Sequence, residues 1–430
     1  MQRYLSLLIA LLFLSGSAFA QEMPDLMQTS DLQYYTAPGQ ASVNQFETPK
    51  VAGAEFDGLA VHVGGDFAIQ FQGISQSNDA ENLVDLAPNF ALPTANLNAD
   101  VQIASGMRMH LRTDLSSRHH TEAYVMGGYF QVDNLDFIQE GFLTNVMDVT
   151  RFRFGMHEPN YGDTHFRRSD NAAVMYNPFV GNYLMDSFTT EPYAEVTVLN
   201  NGLIGVAGIT NGRLNQSPVS GDNGVAFYGK LGYDRQLNEN LRTRLTGSVY
   251  HSTADGTRDY LYGGDRAGAR YYNVLHTIED GGSNFLPRFN PGFPYQTAFQ
   301  INPFVKFQGF EFFGVFEQSI GGGEAEIGEG VMADRGSFTQ LGGELLYRFG
   351  RDEDFYVGGR YNTVTGSVMD GGDDQEISRF NVGGGWFMTP NVLTKVEYVN
   401  QSYDGAGFAN NLQFAGAEFS GVVLEAAISF

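Results

Sequence analysis

Positively charged side chains at alternate positions are the residues of this sequence best suited to bind charged molecules. Alternate side chains of a β-strand lie on one face, so each such run predicts a strand with a cationic face. If water lies on that face, a ladder of fixed cations guides carboxylates and phosphates through forked hydrogen bonds. We predict that these residues line the wall of a pore: Arg108, His110, Arg112, Arg151, Arg153, Arg242 and Arg244.

A second charged set falls in a segment without period-2 alternation, at about 160–189. Facing acidic and basic groups in a loop that narrows a pore would orient dipolar solutes. We assign these residues to a pore constriction: Asp163, His165, Arg167, Arg168, Asp170 and Asp186. Alternatively the cations pair with carboxylates and brace the wall, because buried charges need partners. For the strand arginines we prefer neither the pore role nor the bracing role. For Arg167 and Arg168 we favour the pore role.

The elements that carry these residues are sixteen predicted strands, recognised by period-2 alternation. Between 98 and 115, for example, the even positions are mostly polar and the odd positions mostly apolar. The segment 136–146 does not sort into two faces, although we include it as a strand. The predicted spans are 58–76, 98–114, 121–132, 136–146, 150–158, 190–199, 203–211, 223–234, 240–252, 297–307, 309–320, 336–349, 354–367, 377–388, 391–402 and 413–430.

Short and long connections alternate between these strands. The short ones include 116–120 and 200–202, and the long ones include 159–189 and 253–296. Short periplasmic turns and long outer loops are typical of bacterial outer-membrane barrels. The pattern places both termini in the periplasm and requires an even strand number, with about 14 or 18 strands as the alternatives.

The end of the chain carries a separate signal. Val422, Leu424, Ala426 and Ile428 share one parity with the terminal Phe430. This resembles the C-terminal signal that the outer-membrane barrel-insertion machinery recognises. The resemblance implies that Phe430 is an assembly signal and that the last strand has lipid on one face.

Composition limits the class of protein. No apolar run after the N-terminus approaches the roughly 18–20 residues that a spanning helix needs, so a membrane protein of this sequence must be a closed sheet. A mean hydropathy of -0.22 with 53 glycines, 35 phenylalanines and no cysteine agrees with a barrel that lacks disulfides. The net charge of -24 excludes nucleic acid as a partner.

Three regions follow from the sequence. Residues 1–20 have the charged start, short apolar run and small-residue cleavage site of a signal peptide. Residues 21–57 are polar and aperiodic, and we predict a periplasmic lead-in, with a short plug as the alternative. Residues 58–430 form the barrel.

The predicted fold class is therefore all-β: a transmembrane antiparallel up-and-down β-barrel of about 16 strands. A soluble β-sandwich also alternates polar and apolar residues. Its connections, however, would not alternate regularly between short and long.

Two segments resemble the phosphate-selective porin family and its relatives. They are Arg151–Pro159, which alternates basic and apolar residues before a long loop, and the Gly-rich Gly202–Gly212. The resemblance covers about 120–215 and implies a water-filled, usually trimeric pore whose third outer loop folds inward. One departure is that the chain has four lysines, none of them in that loop. Phosphate specificity is therefore not implied.

We interpret the chain as an outer-membrane porin of a Gram-negative bacterium for passive diffusion of small hydrophilic solutes and ions. The alternatives are a channel specific for small organic anions or phosphate, and an outer-membrane hydrolase that uses His251 or His276. The expected partners are outer-membrane lipid and lipopolysaccharide, the barrel-insertion machinery, the solutes and two further copies in a homotrimer. We expect no catalytic residue, cofactor or metal, although the acidic runs 324–329 and 370–376 could also hold Ca²⁺.

Overall fold

Sixteen antiparallel strands close into a barrel in this computed structural model. The structure describes residues 32–91, 93–116, 122–212, 224–252, 261–263, 270–279, 287–293, 295–322 and 335–430. The strands are β1 (Ala60–Ser77), β2 (Thr94–Ala104), β3 (Met107–Ser116), β4 (Glu122–Val132), β5 (Thr150–His157), β6 (Glu191–Asn200), β7 (Leu203–Thr210), β8 (Ala226–Asn238), β9 (Leu241–Ser252), β10 (Gln296–Phe307), β11 (Phe310–Gly321), β12 (Gly336–Phe349), β13 (Phe355–Ser367), β14 (Gln375–Thr389), β15 (Val392–Asp404) and β16 (Glu418–Ser429).

Helical structure within the described ranges is short. One α-helical turn, α1, spans Thr144–Met147, and 3₁₀ turns span Gln40–Ser42, Thr164–Arg167, Ser169–Asn171 and Ala406–Phe408. Among the described residues, none of the helices is long and apolar enough to cross a bilayer. A two-residue strand, Asn89–Phe90, pairs with β1 beside the barrel seam.

The first and last strands close the barrel. β1 pairs with β16 from Asp66 opposite Ser429 to Ser77 opposite Glu418. The terminal Phe430 adds two backbone hydrogen bonds with Gly65, 2.9 and 3.0 Å long. Closure pairs the edge strands, which satisfies backbone groups that hydrocarbon could not hydrogen-bond.

The barrel is apolar outside and polar inside. In β16, Val422 and Ile428 are 46% and 41% exposed, whereas Glu425 between them is 2% exposed. The predicted faces of β3 are confirmed in the same way, because Arg108 points inward and Met109 outward. An apolar exterior on a closed sheet of this kind is suited to contact with lipid.

Aromatic side chains form a belt on the outer face, near the short turns. Phe310, Tyr347, Phe349, Phe355 and Trp386 follow one another across four strands with ring centroids 4.8, 6.0, 5.6 and 5.7 Å apart. Such girdles mark the boundary between hydrocarbon and headgroups in barrels.

One predicted strand is two strands in the structure. The span 98–114 contains a hairpin at Ser105 and Gly106, where Gly106 has a φ of +66° that suits glycine. Even residues pair with even residues across this hairpin, as Asp100 does with His110. The polar residues therefore stay at even positions on both sides of the turn. Alternation alone could not reveal the hairpin.

The strand predicted at 136–146 is wrong. This part of the chain forms turns and the helix α1 between β4 and β5. The sequence signal was that residues 136–146 do not sort into a polar and an apolar face. The missed hairpin and the extra strand cancel, so the predicted number of sixteen is confirmed for the wrong reason at these two places.

These two errors also displace a predicted turn. The connection between β3 and β4 joins strand ends on the side of the long loops, not on the side of the short turns where it was predicted. Its residues 117–121, with His119 and His120, lie outside the described residues, as do the predicted signal peptide and the acidic run 324–329.

Candidate functional site

The third outer loop, residues 158–190, lies inside the barrel. Its backbone N–H groups bond to inward side chains of the wall: Leu184 donates to Asn362 Oδ1 at 2.7 Å and Met185 to Gln340 Oε1 at 2.9 Å. Leu184 and Met185 are fully buried. Polar wall side chains thus take the place of water as hydrogen-bond partners of an irregular segment.

Arg167 is buried among carboxylates of the opposite wall. It donates to Glu344 at 2.6 Å and to Glu311 at 3.0 Å. Its guanidinium carbon also lies 4.3 Å from the ring centroid of Phe313. The side chain is 4% exposed, so its contacts favour the bracing alternative over the pore role.

Arg168 is neutralised within the loop itself. It pairs with Asp186 at 2.5 Å and with Asp170 at 2.8 Å, and its guanidinium carbon lies 3.9 Å from the ring centroid of Phe188. Three of the predicted constriction residues are therefore one buried ion-paired unit. These contacts also favour bracing.

Residues 32–50 contact the wall of the barrel and its short turns. Gln40 donates its N–H to the carbonyl of Pro390 at 2.7 Å, and Lys50 pairs with Asp133 at 2.9 Å. From the wall, Arg151 donates to the carbonyl of Thr48 at 2.8 Å. Because these partners belong to β5, to the connection before it and to the turn between β14 and β15, the segment crosses the lumen on the side of the short turns. We call residues 32–50 the N-terminal plug.

Asp163 joins the loop, the plug and the wall in one charged cluster. It accepts hydrogen bonds from both Arg244 Nε and Nη2 at 2.8 Å and from Lys230 at 2.9 Å. Burial alone would raise the pKa of Asp163, but these two cations hold it far below its usual range. Arg242 pairs with Asp234 at 2.7 Å beside this cluster.

His165 lies near the same cluster. Burial, and then the nearby Lys230 ammonium, lower the pKa of His165 to about 3. Its imidazole is therefore neutral at physiological pH, and it does not add a cation to the predicted constriction.

A cavity of about 250 Å³ lies between the plug, the third outer loop and the inner faces of the first strands. Four predicted wall arginines line it, together with tyrosines, histidines and carboxylates. The charged and imidazole groups of the lining are Glu47, Asp66, Asp100, Arg108, His110, Arg112, Arg151, Arg153, His157, Glu158, His165 and Glu195. Arg242 and Arg244 are not part of this lining.

Two carboxylates neutralise neighbouring cations in the cavity. Asp100 accepts from Arg108 and lies 3.1 Å from His110 Nδ1. Glu158 lies 2.5 Å from both Arg112 and His157. Burial alone would raise the pKa of Glu158, but Arg112 and His157 hold it far below its usual range.

Arg153 lacks such a partner. Its Nε donates to the neutral Gln131 at 2.9 Å, and its guanidinium carbon lies 4.7 Å from the ring centroid of Tyr129. Within the described part of the chain, no ion pair joins Arg153 to a carboxylate. Glu195 lies opposite Arg153 on β6 and interacts with its charge from beyond ion-pairing distance, so among the four cavity arginines Arg153 is the one without a carboxylate in direct contact.

Several residues of the site were missed by sequence reasoning. Asp100 and Glu158 had a usable signal, because they fall on the same polar parity as, or directly after, predicted wall residues. Tyr129 also lines the cavity. Glu47 and Lys230 had no local signal, since nothing in the adjacent sequence points to their partners.

The structure adds no support for hydrolase chemistry or for a metal site. His251 lies on the outward parity of β9, where it bonds Thr297 Oγ1 at 2.8 Å, so it faces away from the lumen. No cluster of three or more carboxylate or imidazole side chains suited to a metal ion occurs among the described residues.

Comparison with known proteins finds similarity in structure only. No protein-family model matches the chain, and no curated protein sequence matches it. Among solved structures, OmpT of Vibrio cholerae, an outer-membrane protein in its trimer form, is 11% identical with a TM-score of 0.52, covering 87% of this chain and 100% of that chain.

Two channels give similar values. The outer-membrane channel DcaP of Acinetobacter baumannii is 12% identical over 87% of this chain and 98% of that chain, with a TM-score of 0.52. The anion-selective porin from Comamonas acidovorans is 10% identical over 86% of this chain and 100% of that chain, with a TM-score of 0.52. The fold is that of the outer-membrane porins. These comparisons do not support the narrower phosphate-selective family.

This fold, with its apolar exterior and aromatic belt, places the chain in the outer membrane of a Gram-negative bacterium. The lumen is the space in which its function must be sought. In this structure the lumen is occupied by the N-terminal plug, the third outer loop and part of the fifth outer loop, whose Tyr271 donates to Glu397 at 2.6 Å.

Proposed function

We propose that the protein is an outer-membrane channel for small hydrophilic solutes, and that solutes pass through the arginine-lined cavity. The observation that carries the proposal is a water-accessible, charged cavity inside a closed barrel with an apolar exterior. Solute-sized polar cavities in this position serve passage or binding.

A channel selective for small organic anions is the second candidate, and Arg153 favours it. A cation without a carboxylate partner at the cavity wall lowers the electrostatic barrier for anions. The other cavity arginines are paired, so we expect a moderate preference for anions. Phosphate is one anion that this chemistry would accept.

The occupied lumen supports a low-conductance resting state. A wide diffusion pore needs a continuous aqueous path, whereas here the plug and the third loop cross the lumen. We propose that passage requires movement of at least one of these two segments.

Planar-bilayer recording of the refolded full chain tests both candidates. We expect discrete conductance steps. In a salt gradient, the reversal potential should have the sign that indicates greater permeability to anions than to cations. Arg153→Ala should shift the reversal potential toward cation preference, because the uncompensated charge is lost. Arg235→Ala, which removes an exposed arginine at the end of β8, should leave the potential unchanged.

Two results would contradict the proposal. Absence of any conductance from correctly folded protein, with heat-modifiable mobility as the folding criterion, would exclude a channel. A native reversal potential of zero would exclude the anion-selective candidate and leave the general one, whereas equal non-zero potentials in the native protein and Arg153→Ala would exclude Arg153 as the source of the preference.

We also propose that the protein is a homotrimer. The support is that OmpT of Vibrio cholerae, which shares the fold, is described in a trimer form. Native mass spectrometry in detergent should give three times the mass of the processed chain, and a monomer at all detergent concentrations would contradict it.

A further inference from the structure

Glu47 of the N-terminal plug binds two cations of the lumen wall. Its Oε2 accepts from Arg244 Nη1 at 2.8 Å and its Oε1 accepts from Arg244 Nη2 at 3.1 Å. Lys230 lies 3.3 Å from the same Oε1. The two parallel bonds from one guanidinium are the geometry with which arginine recognises a carboxylate or a phosphate group.

The charges of this cluster balance only while Glu47 is present. Arg242, Arg244 and Lys230 carry three positive charges, and the three carboxylates of the cluster carry three negative ones. Departure of Glu47 would leave one positive charge in excess, on side chains of Arg244 and Lys230 that are at most 1% exposed. An uncompensated buried charge is costly, so the site requires an anion. The carboxylates are Glu47, Asp163 and Asp234.

Glu47 differs from the other two carboxylates in how it reaches the cluster. Asp234 belongs to β8 and Asp163 to the loop bonded along the wall, so both are fixed by the barrel. Glu47 arrives on a segment that joins β1 through residues 51–59, which are exposed or half-buried. Departure of Glu47 therefore unpairs no strand, unlike that of Asp234, and breaks no backbone hydrogen bond to the wall such as the one from Asp163 to Asn302.

The neighbouring Phe46 shows how the plug is held. Its ring lies 4.1 Å from the Arg244 guanidinium carbon and 5.5 Å from the Phe304 ring centroid. One carboxylate and one aromatic ring of the plug thus surround the same arginine, in addition to the contacts that Gln40, Thr48 and Lys50 make with the barrel. Loss of the Glu47 contact would loosen this part of the plug.

We propose that Arg244 and Lys230 form a binding site for the carboxylate or phosphate group of a small anion, and that Glu47 occupies this site in the resting channel as a tethered competitor. An anion that binds there displaces Glu47 and releases the plug from the lumen. The inference rests on the proposed function in one respect, namely that release of the plug opens a path for solutes.

A thiol-accessibility measurement tests the site without relying on conductance. The chain contains no cysteine, so Ser42→Cys gives one thiol, at a buried position of the plug. In the full-length refolded protein, succinate or inorganic phosphate should raise the rate of maleimide labelling about tenfold, as expected for a shift in population. Chloride at equal ionic strength controls for screening.

Glu47→Gln in the Ser42→Cys background removes the competitor's charge while keeping its shape. Labelling should be fast without added anion and insensitive to succinate and phosphate. Glu55→Gln is the matched control, because it makes the same change at an exposed residue of the stretch 51–59, which joins the plug to β1. It should label as slowly as the parent protein and keep the anion response.

Arg244→Lys provides a second variant, which keeps the positive charge and removes the two parallel hydrogen bonds that the guanidinium donates. It should reduce the response to succinate and phosphate. If Glu47→Gln does not give a heat-modifiable folded barrel, the Arg244→Lys result decides.

The outcomes separate this inference from the proposed function. Labelling that is the same in parent and Glu47→Gln, or that rises equally with chloride, would overturn the site. Anion-dependent labelling with no conductance in any variant would support the site and refute the channel. Conductance in all variants together with unresponsive labelling would refute the site alone.

Discussion

Arg153 differs from the other cavity arginines in what surrounds its guanidinium group. Arg108 and Arg112 each have a carboxylate partner, whereas Arg153 contacts an amide and an aromatic ring. A charge paired at contact distance contributes little field in the lumen, while a charge whose nearest carboxylate, here Glu195, lies farther away contributes more. At the residue scale, pairing decides which arginines act on a solute.

Arg167 gives a prediction about stability. Arg167→Ala removes a buried cation from Glu311 and Glu344, which retain Arg348 and Arg360 as partners. We expect a loss of about 3 kcal/mol, the lower end for breaking a buried ion pair. Urea unfolding of the refolded barrel measures it.

Lys306→Ala is the control for that measurement. Its pair with Glu353 is 30% and 40% exposed, so the loss should stay below about 1 kcal/mol. Ion preference should not change when Arg167 and Arg168 are both replaced by alanine and the barrel still folds. A large change in reversal potential would restore the pore role that the sequence favours for them.

The plug and the third outer loop fill the lumen together with part of the fifth outer loop. Each is an irregular segment that the barrel holds through side chains, and the two meet at Asp163 and Glu47. Segments held by a few charged contacts open at lower free energy than paired strands do. Movement of the lumen contents is therefore expected without movement of the barrel.

Acid should loosen the plug. Burial alone would raise the pKa of Glu47, but Arg244 and Lys230 lower it from 4.5 to about 2. A lowered carboxylate pKa stabilises the folded state above pH 4.5, and this stabilisation is lost as the pH falls through about 2. Asp163, whose pKa is also lowered, acts in the same sense. His165 does so too, since a buried neutral imidazole opposes protonation.

Single-channel recording between pH 7 and pH 2 tests this. Mean conductance of the native protein should rise as the pH falls below about 4.5. In Glu47→Gln the rise in that window should be smaller, because one of the titrating groups is gone. An identical pH profile in both proteins would contradict the role of Glu47.

At the scale of the whole molecule, the outer face of the barrel meets lipid and the inner face meets the polar lumen. Lipid outside selects apolar side chains on one parity of every strand, and the lumen selects polar ones on the other. Closure between β1 and β16 depends on the end of the chain, where Phe430 pairs its backbone with Gly65. The Phe430 ring itself is 47% exposed on the lipid side.

This geometry predicts that the Phe430 side chain serves assembly more than stability. Phe430→Ala should lower the amount of folded barrel recovered from cells several-fold, because the terminal aromatic signal is lost. The urea midpoint of refolded protein should change little, since the backbone pairing remains. Phe227→Ala, an outward aromatic within β8 that is 49% exposed, should leave cellular yield unchanged. Equal yields from both variants would contradict a signal at Phe430.

The sequence determined the barrel, and the reason is local. Strand faces repeat every second residue, so the alternation in β3 or β16 records directly which side meets lipid. The same locality explains the missed hairpin at Ser105 and Gly106, where the parity does not change. The inward direction of the predicted wall arginines followed from that alternation.

Only the tertiary structure decided what those arginines contact. Glu47 and Arg244 are 197 positions apart, and Arg167 and Glu344 are 177 apart. No periodic pattern links such residues, because closing a barrel brings distant strands and loops to a common interior. The sequence alone therefore specified a polar lumen, while the folded chain determined that its own N-terminal segment and third loop fill that lumen and neutralise most of its charges.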